Sequence, residues 1–196
     1  MKNRAILAGF VMLFTVLSAF AVATPAAAAE AEEDVLYVAM QEDLPDLNNY
    51  NLGTNSVWKA HVIQYCFEGL VTVDYDLKTI PLLATGWTFD PDTLTVDVDV
   101  RQGVLFHDGT EMTADDVVYS YKMVRDGTTY SDRIVAAFDG NDDGLVDLTE
   151  FDAGVQKTGD YSVRFVMAKP YGQFFSSTLS VPIVPMAIWD DPANGF

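Results

Sequence analysis

Cysteine is almost absent from this 196-residue chain: Cys66 stands alone, so no internal disulfide can staple the fold. Basic residues are scarce as well. Eleven Lys and Arg face 29 Asp and Glu, a formal charge of −18, and such a surface repels nucleic acid and anionic lipid. That balance favours cations and solubility, and it also suits a salty medium. Histidine occurs twice, at His61 and His107. His107 adjoins Asp108, but sequence neighbours on a strand point to opposite faces and no serine or second base accompanies them. No nucleophile–base set is legible, so the sequence argues against an enzyme. Repeats are missing, and the only low-complexity tract is the alanine stretch near the N-terminus. With 49% hydrophobic and 12% aromatic residues, disorder is excluded too.

What is present begins with a leader. Lys2 and Arg4 precede an apolar run from Ala5 to Ala23, followed by the small residues Ala26–Ala29. This predicts a signal peptide over residues 1–29, cleaved near Ala29. The run is also long enough for an uncleaved membrane anchor. No cysteine follows it to accept a lipid.

Local signals agree best between Thr93 and Val124. Leu94, Val96, Val98 and Val100 alternate with polar residues, the period of a half-buried antiparallel strand. Asp108-Gly109 makes a turn. Thr113 suits an N-cap, with Asp116 three residues on. Val117, Val118, Tyr121 and Val124 then recur at helical spacing. Further strands are predicted over Val35–Met40, Leu70–Asp74, Trp87–Phe89 and Tyr161–Ala168, and a helix over Ser56–Phe67, closed by Gly69. On that helix Trp58, Val62, Tyr65 and Cys66 share one stripe, so Cys66 reads as a buried thiol. A helix over Phe151–Asp160 is weak because Gly154 and Gly159 interrupt it. Phe174–Leu179 reads as a short helix or turn, and Val181–Trp189 as extended. Short strands mixed with helices indicate an α/β chain, a mixed-sheet α+β lobe.

Several of these segments carry a resemblance. Val100-Arg101, Gly103–Gly109 and Thr113–Val118 together resemble the signature of the family 5 extracellular solute-binding proteins, the peptide- and nickel-binding receptors of ABC importers. Phe67–Val71, Pro81–Trp87 and Ile183–Trp189 resemble three flanking elements of the same family, in the same order. Gln102 replaces an acidic residue, and Met186-Ala187 replaces Lys-His. The resemblance implies a periplasmic-binding-protein-like class II fold of two lobes, of which residues 30–196 would supply the N-terminal lobe, truncated. It also implies an exported protein, periplasmic or on the outer cell surface. Such a protein binds an oligopeptide or other small solute and delivers it to ABC permease subunits, touching the membrane only through the permease or an anchor. By analogy Met40, Gln41 and Asn55 face the ligand cleft.

Asp139–Glu150 is a second signal. It satisfies D-x-[DN]-x-[DN]-G-x₅-E at every constrained position, which resembles an EF-hand calcium loop inserted in the lobe. Ca²⁺ is a hard ion wanting six to eight oxygens. Asp139, Asn141, Asp143, the Leu145 carbonyl, Asp147 and Glu150 would supply them, with Gly144 at the sharp bend. Val146 would be the central apolar residue, and Phe138 and Phe151 would seat the flanking helices. A single extracellular site of this kind is expected to be structural, with a dissociation constant of about 10⁻⁵ to 10⁻⁴ M. Two other functions fit the residues: a calcium-stabilised surface or adhesion module, and the non-functional product of a truncated gene.

Overall fold

The computed structural model describes residues 57–126 and 130–191. All of these fall in the second of two compact units, Met40–Phe196. The leader and the candidate cleft residues Met40, Gln41 and Asn55 lie outside the described residues.

Helix α1 (Val57–Cys66) leads into a small antiparallel hairpin, β1 (Val71–Val73) with β2 (Thr79–Pro81). Asp74 shapes the hairpin turn. Its carboxylate accepts from the backbone N–H groups of Asp76 and Lys78, at 2.9 and 2.8 Å. A four-stranded antiparallel sheet follows in the spatial order β3-β4-β6-β5, built from β3 (Ala84–Asp90), β4 (Thr95–Val100), β5 (Val155–Gly159) and β6 (Ser162–Val166). Helix α2 (Ala114–Asp126), α3 (Ser131–Phe138) and α4 (Leu148–Gly154) come between β4 and β5. A 3₁₀ turn (Thr178–Ser180) and the short α5 (Met186–Trp189) close the described chain.

The alternation in β4 does what its period requires. Val96, Val98 and Val100 are buried, while Asp97 and Asp99 face outward. Register then fixes the other strands: Val96 lies opposite Phe165 and Val98 opposite Val163, so those side chains share the inner face. That face meets Val117, Tyr121 and Val124 of α2 and Ile134, Ala137 and Phe138 of α3, all at most 1% exposed. Aromatic rings fill the centre. Phe165 contacts Tyr121, Phe174 and Phe138 at centroid distances of 5.0, 5.8 and 6.4 Å.

The reciprocal cap of α2 also forms. The Thr113 hydroxyl accepts from the Asp115 N–H, and the Asp116 carboxylate accepts from the Thr113 N–H at 2.8 Å. Its other oxygen accepts from the Met186 N–H at 2.9 Å, so the same cap holds the start of α5.

Six local features differ from what the sequence predicts. Leu94 is a turn residue with φ of 55°, and the strand begins at Thr95. Cys66 is exposed, as is Tyr65 at 89%. Apolar residues are spread around the whole circumference of α1, so their spacing singles out no one face. Gly69 is no left-handed helix terminator. A Cβ there would sit 2.9 Å from three backbone atoms of Ser180, so glycine is needed for close approach, where Gly69 bridges to Pro182. Past Gly154 the chain becomes strand β5, which pairs with β6. Thr79–Pro81 is a strand the sequence reading omitted, and Met186–Trp189 is helical rather than extended.

Candidate metal centre

Asp139–Glu150 connects α3 to α4, and both its ends are anchored in the core. Phe138, at the last position of α3, is 1% exposed, and Phe151 in α4 is 3% exposed. Val146 is buried between them, as its place in the motif requires. Gly154 lies so close to Phe138 that a Cβ would come within 2.6 Å of the ring. The loop is therefore a short link between two helices that meet at an aromatic contact.

Within the loop every acidic or amide side chain except that of Asp142 turns back on the backbone. Asp139, 2% exposed at the end of α3, accepts from the N–H groups of Asp142 at 2.7 Å and Gly144 at 3.0 Å. Asn141 accepts from Asp143 N–H, and Asp143 accepts from Leu145 N–H, both at 2.9 Å. Left-handed backbone at Asp142 (φ 60°) and Gly144 (φ 82°) produces the curl. Asp147 is the N-cap of α4 and forms a capping box with Glu150. Glu150 closes the loop: one carboxylate oxygen accepts from Asp147 N–H at 3.1 Å and the other from Gly140 N–H at 2.9 Å. Leu145 exposes its side chain.

Electrostatics follow from this packing. Burial alone would push the Asp139 carboxyl up. The N–H bonds from Gly144, Asp142 and Asp143, with the charge of Lys169, together hold it below the usual carboxylate range. Lys169 ion-pairs with Asp142, the fourth loop position, which the calcium motif does not use as a ligand. Its ammonium is held above its ordinary value by that hydrogen bond and by the charges of Asp142, Asp139 and Glu150. Lys169 was not legible in the sequence as part of this loop, because it lies beyond β5 and β6.

All six positions named from the motif are thus brought into one loop. They are not drawn onto one point: among the described residues, no three His, Cys, Asp or Glu side chains converge as they would around a metal ion. The donor chemistry is nevertheless that of a hard cation, with carboxylates, an amide oxygen and a carbonyl, and neither sulfur nor imidazole.

Residues 78–195 match the family described as Bacterial extracellular solute-binding proteins, family 5 Middle. The chain belongs to this family. The match includes β3, β4 and α2, which carried the resemblance, as well as the acidic loop. Among relatives of this family 5 chain, the Oligopeptide-binding protein AppA of Bacillus subtilis is 35% identical over 96 residues, covering 48% of this chain and 16% of that protein. The Periplasmic oligopeptide-binding protein OppA of Escherichia coli is 25% identical over 190 residues, covering 90% and 34%. The solved structure of B. subtilis AppA in complex with a nonapeptide has a TM-score of 0.56 and 27% identity over 75% of this chain and 27% of its own. This family 5 chain therefore spans about a third or less of the length of the relatives it matches. The family is one of binding proteins, not enzymes, and its fold is that of the periplasmic binding proteins. Among the described residues no helix is long and apolar enough to cross a membrane.

Proposed function

We propose that this chain belongs to the exported substrate-binding component of an ABC importer, which binds oligopeptides or a related small solute and passes it to a permease. The observation that carries this reading is the family match over residues 78–195, supported by relatives that are oligopeptide-binding proteins. Export rests on the predicted leader and on the extracellular character of the family. The test is thermal unfolding and equilibrium dialysis of the chain with mixed peptides of three to nine residues, with free amino acids as controls. Peptides should raise the unfolding midpoint and be retained; no retention of any peptide would reject the reading.

The Asp139–Glu150 loop is proposed as a structural Ca²⁺ site within this lobe. Asp139, Asn141, Asp143, the Leu145 carbonyl, Asp147 and Glu150 would hold the ion. Support comes from the full motif, the left-handed turn at Gly144, and the seating of Phe138, Val146 and Phe151. Calcium would neutralise carboxylates that Lys169 alone only partly offsets. At 10 mM Ca²⁺ and a dissociation constant of about 10⁻⁵ to 10⁻⁴ M, stabilisation is about 2.7–4.1 kcal/mol. For a chain of this size that raises the midpoint by about 5–16 °C. Titration calorimetry should show binding heats that vanish in the double variant Asp139→Ala, Glu150→Ala. Identical heats in the two proteins would remove the site.

A further inference from the structure

The acids outnumber the bases 29 to 11, so 18 carboxylates would lack a cation even if every base neutralised one. The fold makes sparing use of the bases it has. Among the described residues Lys157 spans Asp115 and Asp160, Arg164 pairs with Asp97, Lys169 with Asp142, and Arg125 with its sequence neighbour Asp126. Elsewhere carboxylates sit side by side. Asp97 and Asp99 share the outer face of β4, and only Asp97 is matched by Arg164. Asp90 and Asp92 share one turn, where the Asp92 N–H donates to the Asp90 carboxylate. Five carboxylates lie between Asp139 and Glu150, and the described cation held against them is Lys169. Folding holds the charges of each group closer together than the unfolded chain does, so repulsion weighs on the folded state.

We infer that mobile cations stabilise this fold: the stability of the folded chain depends on ionic strength through diffuse screening of the carboxylates its few bases do not match. The effect is collective and needs no specific ion site. Its range is set by the Debye length, which falls from about 30 Å at 0.01 M to about 10 Å at 0.1 M and 3 Å at 1 M. Screening is thus nearly complete by a few tenths molar, a signature that separates it from the general stabilisation by excluded solutes, which keeps growing with concentration.

The experiment is thermal unfolding of the chain in EDTA, with KCl from 0.01 to 2 M. A parallel series uses Asp92→Asn, Asp99→Asn, Asp152→Asn in one chain. All three residues are exposed and none forms an ion pair among the described residues. The wild-type midpoint should rise by about 5 °C or more, most of it below 0.3 M. The triple variant should melt higher than wild type at 0.01 M KCl and rise less. A wild-type midpoint indifferent to KCl would overturn the inference, as would a linear rise without saturation. So would a triple variant that melts lower at 0.01 M and keeps the wild-type salt response.

Discussion

Gly154→Ala tests whether the exit helix of the acidic loop is seated on the core through Phe138. The added methyl would lie 2.6 Å from the Phe138 ring, against a comfortable carbon–carbon separation of about 3.5–4.0 Å. About 1 Å of movement is needed, and the ring has little freedom. It is 1% exposed, stacked with Phe165 at 6.4 Å and edge-on to Phe174 at 6.3 Å. Overpacking of this kind costs about 1–3 kcal/mol. Replacing a helical glycine by alanine returns about 0.5–1 kcal/mol through helix propensity and a less flexible unfolded chain. The central values leave a net loss of about 1 kcal/mol, or a midpoint lower by about 2–4 °C. Differential scanning calorimetry would measure it. Phe138→Leu makes room for the methyl, so the double variant should be less damaged than the sum of the singles by about 1 kcal/mol. A Gly154→Ala chain as stable as wild type, or strict additivity in the cycle, would refute the contact.

Two further predictions follow from polar groups placed by the fold. Ser120 is fully buried; its hydroxyl donates to the Asp116 carbonyl and accepts from the buried Val184 N–H at 2.9 Å. Ser120→Ala should cost about 1–3 kcal/mol in urea unfolding, because it strands that N–H; an unchanged midpoint would show that the amide finds another partner. Glu111 accepts from the Gly103 N–H and the Tyr161 hydroxyl, both at 2.8 Å, and these bonds hold its carboxyl below the ordinary 4.5. Its contribution is therefore present above pH 4.5 and lost as pH falls through the lower folded value. Thermal midpoints measured from pH 6 to 3 should converge for wild type and Glu111→Ala at the acid end; a constant gap would contradict the assignment.

The strand, turn and helix of β4 and α2 were legible because every local signal agreed. The strand's period of two, Gly109 with its φ of 87°, and the Thr113–Asp116 cap all specify the same geometry. The loop from Asp139 to Glu150 was legible for a similar reason: the motif fixes backbone curl and side-chain type together. Elsewhere local cues misled. Gly154 read as a helix breaker, whereas it ends α4 by packing under Phe138 before β5 begins. Gly69 read as a helix cap, whereas its constraint is the Ser180 backbone, more than a hundred positions away. Cys66 read as buried because it shares a stripe with Trp58, Val62 and Tyr65, but apolar residues surround the whole helix, so that stripe marks no buried face and the thiol is exposed.

The sequence by itself determined the family, the acidic charge, the alternating inner face of the sheet and the identity of the loop's oxygen donors. These depend on residue type and short-range spacing, which physical chemistry reads directly. Tertiary structure alone decided which distant groups meet. Tyr121 donates to the Thr178 carbonyl, Ser120 receives Val184, Arg125 lies 5.1 Å over the Phe151 ring, and Lys169 folds back onto Asp142. Each pairing spans tens of residues, and only the register of β4, β5 and β6 and the packing of the helices bring its partners together. The loop's donors are a property of the sequence; the neighbours that hold the loop in place are a property of the fold.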